Sequence, residues 1–570
     1  MSTPVHSTRH PAGLWVLFTT ELWERFAFYA MRAILTLYLI AEADKQGNPG
    51  FGWSEADAYM LYGWYTSLVY VAPIFGGWLA DSFLGQRRAV IIGAILMALG
   101  EFCLFATELV RIGEGIPITF ATDPTALYTF YAGLGLIILG NGFFKPCISV
   151  MVGQLYEPGD RRRDSAFTIF YMGINIGAAI SPLVAGTLAA KFGFQWGFFA
   201  AGIGMCIGLL IQLTFSPFFL KRIGTLPKHH RGGALTPEEQ EKHEKDVHEQ
   251  TRPLVKQDWD RMFVAIVLSL FVIAFWLTFE QAGSSLNVFA EKNTDRLVPN
   301  VLSQATITIK KDYSLSLLKD DWVVFKGTWL FSNAQEEKAE IARIAEEALR
   351  KAEQQGESNT EEIAAELEKT KSAAQLARKE ADDPRYEGRS VFPASWYQSV
   401  NAIFIVIFAP IFTLMWNFLH RRGIEPSTPV KFALGILLVS VSFLVMIPGA
   451  IQAAHTGGNA AAYWLLACYL FATWGELCLS PVGLSMITKL APARYASIFM
   501  GIWFLASATA YWLAGYCAAV FAAGEGVAIL FGRENGLADF FLLLAIIPAL
   551  VGLLALAMAP ILKKKTHGIH

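Results

Sequence analysis

About twelve times along the chain a stretch of roughly 20 or more largely apolar residues recurs, long enough for each stretch to cross a bilayer as a helix. The stretches fall near residues 14–41, 57–82, 88–110, 126–152, 165–190, 197–220, 259–290, 395–419, 429–451, 461–489, 495–522 and 537–562. Nothing constrains the fold more. In hydrocarbon every backbone N–H and C=O must find its partner inside its own segment or a closed barrel, so runs of this length read as helices and the chain as an all-α integral membrane protein. A hydrophobic share of 54% and a mean hydropathy of +0.40 agree.

Charge sets the orientation and removes one class of partner. Lys and Arg number 46 against 48 Asp and Glu, a net charge of -2, so no basic excess points to nucleic acid. The basic residues are unevenly placed. Arg87 and Arg88, Arg161 to Arg163, Lys221 and Arg222, Arg421 and Arg422, Arg494 and Lys563 to Lys565 share one side if the N-terminus is cytoplasmic, while the opposite loops hold single charges such as Arg111, Lys191 and Arg533. Both termini are therefore expected in the cytoplasm. The short polar start leads into a first span too long and too charged for a cleaved signal peptide. The six cysteines, Cys103, Cys147, Cys206, Cys468, Cys478 and Cys517, lie in apolar runs at no metal-ligand spacing, which predicts buried side chains without disulfides or zinc.

Two polar stretches divide the spans. Residues 221–258 read as a cytoplasmic linker between two six-helix halves, 1–220 and 259–570. Residues 291–393 follow span seven (259–290), precede spans eight to twelve (394–570), and lie outside the cell on this topology. That insertion opens with the strand-like alternation "TITIKKDYSLSL" and continues as two Ala-, Glu- and Lys-rich runs broken at Gly356, expected to form a helical hairpin with Asn333 and Thr360 as N-caps.

The first span holds an anomaly. "ELWERFAFYAMR" puts Glu21, Glu24, Arg25, Phe28, Tyr29 and Arg32 at i, i+3, i+4, i+7, i+8 and i+11, one helical stripe. Each intramembrane charge costs at least ~2.5–3.5 kcal/mol on insertion scales, so the stripe must face protein or water and pair its charges. Lys145 adds a cation to the first half, and Glu280 and Glu476 add anions to the second. Two halves of opposite bias suit a molecule charged at each end, such as a peptide zwitterion.

Between spans two and three, "GGWLADSFLGQRRA" places Gly77, Asp81, Gly85, Arg87 and Arg88 in a pattern that resembles the loop motif of the major facilitator superfamily. "ELWERF", "GFFKP" around Lys145, "FTIFYMGINIGAAISP" in span five and "ELCLSPVGLS" from Glu476 resemble stretches of its proton-dependent oligopeptide transporter family, across both halves from about residue 14 to about 560 outside the insertion. The resemblance implies twelve helices in two six-helix bundles with a site between them, and proton-coupled import of di- and tripeptides by alternating access. It implies a substrate peptide, protons and a surrounding lipid bilayer as partners, no cofactor, a monomer, and the bacterial inner membrane.

The resemblance also implies roles. Arg32 and Lys145 would hold the peptide carboxylate, Glu476 its amine, and Asn175 and Asn401 its backbone, while Tyr29, Tyr38, Tyr70, Tyr171, Trp276 and Trp503 would line side-chain pockets. Glu21, Glu24, Arg25, Lys145 and Glu280 would couple protons, with Glu280 pairing with Arg32 across the outer gate and joining the peptide site when that pair opens. Pro146, Pro182, Pro410 and Pro481 could kink their spans. Two positions depart from the family pattern: Cys147 stands where asparagine is common and Phe28 where a second tyrosine is. No apolar run fills the linker, so the two extra helices of many bacterial relatives are not expected. Transport of a non-peptide solute by the same fold, or peptide sensing by a receptor, are the rival readings. No zinc-protease, serine-hydrolase or phosphate-loop motif supports an enzyme.

Overall fold

The computed structural model describes residues 9–44, 48–112, 115–157, 160, 162–221, 223–225, 254–299, 332–333, 339, 342–343, 346, 389–492, 495–525 and 536–567. Twelve long helices dominate them. They are α1 Ala12–Ile40, α2 Glu55–Leu79, α3 Gln86–Leu109, α4 Pro124–Gln154, α5 Arg162–Phe192, α6 Phe194–Phe219, α7 Lys256–Phe279, α8 Gln398–Arg421, α9 Thr428–Thr456, α10 Tyr463–Leu490, α11 Ala496–Val520 and α12 Gly536–Lys565. Ten of the described helices are long and apolar enough to cross a membrane by length and composition, and α1 and α10, of 29 and 28 residues, run beside them. The protein is a multi-pass membrane protein.

Small residues set how closely the helices of the first half approach. With lipid on the outside there is no hydrophobic drive between helices, so close van der Waals fit has to supply cohesion. A Cβ on Gly93 of α3 would lie 2.6 Å from the Gly140 carbonyl oxygen of α4, one on Gly100 2.7 Å from that of Gly133, and one on Gly142 of α4 would meet the Ala72 carbonyl oxygen of α2 at 3.0 Å. The backbones touch. Around them Met97, Phe144, Cys147, Ile148 and Met151 form one core cluster, and Tyr38, Phe51, Phe130 and Phe198 anchor a second. The second half is cemented by Phe275, Phe432, Ile436, Leu479 and Trp503.

The turn after α2 follows from its sequence. Ala80–Leu84 widens into a π-turn, Gly85 adopts φ +78°, where a side chain would be strained, and α3 begins at Gln86. Gln86 Nε2 donates to Asp81 Oδ1 at 2.7 Å and the Arg87 N–H donates to the Gly224 carbonyl at 2.9 Å. The Gly and Asp positions of the motif thus shape the turn, while Arg87 ties it to the exit of α6. In the loop between α8 and α9, Lys431 and His420 beside Glu425 hold its carboxyl below the usual carboxylate range.

Span seven is not continuous. The sequence reading takes 259–290 as one helix, but α7 stops at Phe279, a 3-10 turn covers Glu280–Gly283, and a short helix, Ser285–Lys292, resumes. Gly283 with two following serines is a helix-breaking combination. A Cβ on Gly283 would collide with the Tyr62 hydroxyl, so the break is also where the two halves come closest.

Described contacts between the halves gather at the end away from the termini. Thr36 Oγ1 donates to the Gly283 carbonyl at 2.8 Å, Asn287 Nδ2 to the Ala33 carbonyl at 2.9 Å, and Trp396 Nε1 to Thr187 Oγ1 at 3.1 Å. Lys292 Nζ pairs with Glu55 Oε1 at 2.6 Å, and Gly63 of α2 faces Gly515 of α11 backbone to backbone.

Residues 295–394 form a separate unit. Its described part holds a three-stranded antiparallel sheet in the order β1 Leu297–Pro299, β3 Arg389–Val391, β2 Ser332–Asn333. Asn333 pairs with Ser390 in this sheet, and the residues that would show whether it also caps a helix, 334–338, lie outside the described residues. The alternating stretch at 306–317, nearly all of the helical hairpin and the linker over 226–253 lie outside the described residues.

Gly140→Val is expected to lower stability by about 1–3 kcal/mol, since its first side-chain carbon would already crowd the Gly93 carbonyl and Met97. Thermal unfolding in detergent checks this, with Gly135→Ala, where a Cβ meets nothing within 4 Å, expected not to lower the midpoint.

Candidate functional site

A narrow cavity opens between the halves. From the first half it is lined by Phe28, Tyr29, Arg32, Thr66 and Tyr70, and from the second by Trp276, Phe279, Glu280, Asn401, Glu476 and Tyr511 among others. The stripe read on α1 therefore faces protein and cavity, as the cost of its charges requires.

Its charges pair in two groups. Arg25 serves two carboxylates: its Nε lies 3.1 Å from Glu21 Oε1, its Nη2 donates to Glu24 Oε1 at 2.7 Å, and its Nε also pairs with Glu24 Oε2. Asn141 Nδ2 of α4 adds a donor to Glu24 at 3.3 Å. Glu21 keeps one buried oxygen, Oε2, without a hydrogen-bond partner among the described residues. One cation for two acids leaves this cluster one positive charge short, and Lys145 lies within electrostatic reach of both acids.

Two turns further along α1, Arg32 Nη2 meets Glu280 Oε2 at 2.9 Å and Arg32 Nε donates to the Tyr62 hydroxyl at 2.9 Å. Both partners of this pair are more than nine-tenths buried. The break at Glu280 places the carboxylate there, since it projects from the 3-10 turn toward α1.

Lys145 and Glu476 differ from these. Among the described residues no carboxylate forms an ion pair with Lys145, whose Nζ sits over the Tyr70 ring, 3.5 Å from its centre. Glu476 of α10 accepts from Asn401 Nδ2 at 3.0 Å, and no cation within the described residues forms an ion pair with it. Asn401 Nδ2 also reaches Thr473 Oγ1 at 3.0 Å, which fixes the amide. The two halves thus present an ammonium and a carboxylate that form no ion pair with any charge among the described residues.

The remaining residues named from the sequence divide. Tyr29, Tyr70, Trp276 and Asn401 line the cavity, Tyr70 and Tyr511 meeting edge to face across the halves at 4.5 Å. Asn175 spends its amide on the Tyr171 carbonyl one turn back on α5, and Tyr171 lies in electrostatic reach of Glu476. Two aromatics lie elsewhere. Tyr38 is fully buried among Phe51, Phe194 and Phe198 and donates to Glu108 Oε1 at 2.5 Å; Trp503 packs on Phe432 in the core of the second half. An aromatic residue in a span is equally suited to either place, so its position depends on helix rotation. Missed from the sequence were Thr66, Phe279, Gln398, Tyr469 and Tyr511, which line the cavity without carrying a charge that would mark them. The described residues hold no group of three or more His, Cys, Asp or Glu suited to a metal ion.

Replacing Glu280 with Gln leaves Arg32 buried without its counter-charge, expected to cost about 3–5 kcal/mol of the contact between halves. Spin-label distances between the start of α2 and the end of α11 should lengthen in Glu280→Gln, and less so in the double variant Arg32→Leu/Glu280→Leu, where no charge is stranded.

Comparison with known proteins adds relatives along nearly the whole chain. A profile described as the POT family matches residues 87–231 and 383–533. The chain is 33% identical over 563 residues to the Uncharacterized transporter YclF of Bacillus subtilis, covering 98% of this chain and 96% of that one. It is 33% identical to a Di-/tripeptide transporter of Lactococcus lactis subsp. cremoris, over 97% of this chain and 96% of the relative. Among solved structures, peptide transporter POT in complex with sulfate aligns with a TM-score of 0.68 at 28% identity, covering 99% of this chain and 98% of that one.

Proposed function

The chain belongs to the POT family, and from that premise we propose that it carries di- and tripeptides into a bacterial cell together with protons, by alternating access of its two six-helix halves. One observation carries the reading: a Lys145 ammonium and a Glu476 carboxylate, each without an ion-pair partner among the described residues, stand on opposite halves, Glu476 lining the cavity and Lys145 against Tyr70, which lines it. A short peptide brings the matching charges. Its carboxylate answers Lys145 and its amine answers Glu476, so binding neutralises two desolvated charges at once and draws the halves together.

The rest of the cavity suits a ligand of fixed ends and variable middle. Asn401 offers an amide to the peptide backbone, and Asn175 can do so by leaving its own helix carbonyl. Tyr29, Tyr70, Trp276 and Tyr511 offer ring faces that accept side chains through area rather than a defined set of bonds.

Coupling rests on the unequal count around Arg25. Glu21 and Glu24 share that guanidinium, and Lys145 supplies the balancing positive charge from α4. Once Lys145 turns to a peptide carboxylate, one α1 acid loses its support and takes a proton in its place. Glu280 is the second coupling acid: a proton on it would release Arg32, loosen the end away from the termini, and free Arg32 for the peptide. Placing the basic loop residues in the cytoplasm makes that end the outer gate, with both termini inside. We assign the chain to the cell membrane and read it as a monomer needing no cofactor.

Liposomes containing the purified chain test this with labelled dialanine. An inward proton gradient should drive accumulation, and Glu21→Gln should abolish the accumulation while peptide exchange across the membrane persists. No uptake of any peptide with or without the gradient overturns the proposal and leaves a non-peptide solute or a sensing role.

A further inference from the structure

Glu101 takes no part in the proposed cycle, yet it is an acid in the middle of α3. It belongs to the stripe of Gly93, Met97, Gly100 and Leu104 that packs against α4, it is 1% exposed, and neither carboxyl oxygen has a hydrogen-bond partner among the described residues. On α2 the Tyr65 hydroxyl, in a side chain 2% exposed, is likewise unpartnered, and the two groups interact electrostatically. Tyr65 also feels Glu24 and Arg25 of α1, and one turn before it Tyr62 accepts from Arg32 at the gate. The remaining neighbours of α3 offer little. The titratable residues of α4 are Tyr128, Tyr131, Lys145 and Cys147, and that of α6 is Cys206; none of them interacts with Glu101 in the described structure.

An ionised carboxylate here would have neither a cation nor a donor to replace its water, the most costly arrangement for a buried charge. A neutral carboxylic acid strands no charge, and the Tyr65 hydroxyl lies within its electrostatic reach. We propose that Glu101 is a further proton-binding site, carrying a proton in the conformer closed at the Arg32–Glu280 end and releasing it in a conformer that lets water reach the face between α2 and α3. Binding joins one proton from water to a carboxyl oxygen, and release returns it to water; no other bond changes. Because the proton is held in the closed conformer, lowering the pH biases the protein through Glu101 toward that conformer, opposite in sense to a proton on Glu280, and raising it removes that bias. The inference rests on the alternating-access reading, but its principal readout does not involve transport.

Infrared spectroscopy of the full chain in lipid at neutral pH provides that readout. Wild type should show a protonated-carboxyl C=O band that Glu101→Gln removes, and the pH dependence of the spin-label distance between the start of α2 and the end of α11 should lose its low-pH closing component in the same variant. A spectrum unchanged by Glu101→Gln, or an identical pH response, overturns the proposal. Should Glu101→Gln fail to fold, Tyr65→Phe takes its place: removing the hydroxyl dipole that interacts with Glu101 should shift the band, and an unshifted band counts against the site. Failure of the transport reading would be seen separately, as wild-type liposomes that take up no dialanine.

Discussion

A charge inside a bilayer cannot be left to water, and that single constraint organises the interior of this protein. Six ionisable side chains of the cavity region, Glu21, Glu24, Arg25, Arg32, Glu280 and Glu476, are at least nine-tenths buried. Three of them, Glu21, Glu24 and Arg25, settle the cost by pairing across short distances within α1, and Arg32 and Glu280 pair with each other between the halves. The last pairing gives the constraint mechanical consequence: two rigid bundles held by a desolvated ion pair separate only when one of its charges is neutralised or redirected.

The backbone of the seventh span is adapted to that pair. A continuous helix would carry Glu280 past α1 at a fixed pitch. The 3-10 turn over Glu280–Gly283 resets the direction, and Gly283, lacking a Cβ, admits the Tyr62 hydroxyl and accepts a bond from Thr36 through its carbonyl. Irregular backbone at membrane depth survives where protein rather than lipid surrounds it. The same closeness recurs where Gly63 meets Gly515. Ion pair, helix break and glycine contact thus act at one end of the molecule, and Lys145 and Glu476 remain without an ion pair among the described residues.

Much of the fold was legible because the bilayer simplifies the code. Span length, the basic loops and the Gly–Asp turn after α2 depend on local composition, and most helix ends fall within a few residues of those read from the sequence. The charged members of the site were legible for a related reason, since an ion in an apolar run demands explanation wherever it occurs. Aromatic members were not. Tyr29 and Tyr38 sit on one helix with similar surroundings in sequence, yet the first lines the cavity and the second fills the core of its bundle. In the insertion, the strand pairing of Asn333 was not legible either, because its partner Ser390 lies more than fifty positions later.

By itself the sequence determined that the chain is a bundle of membrane helices and that α1 carries a charged stripe, because hydrophobic length and the cost of buried charge are properties of short segments. Only the tertiary structure decided which acid each cation takes, that Lys145 and Glu476 form no ion pair among the described residues, that span seven breaks at Glu280, and that Glu101 is buried with neither oxygen hydrogen-bonded among the described residues. Those outcomes depend on the rotation and spacing of helices distant in sequence, fixed by glycine-to-backbone contacts such as Gly93 with Gly140, and no local pattern encodes where such a contact will meet its partner.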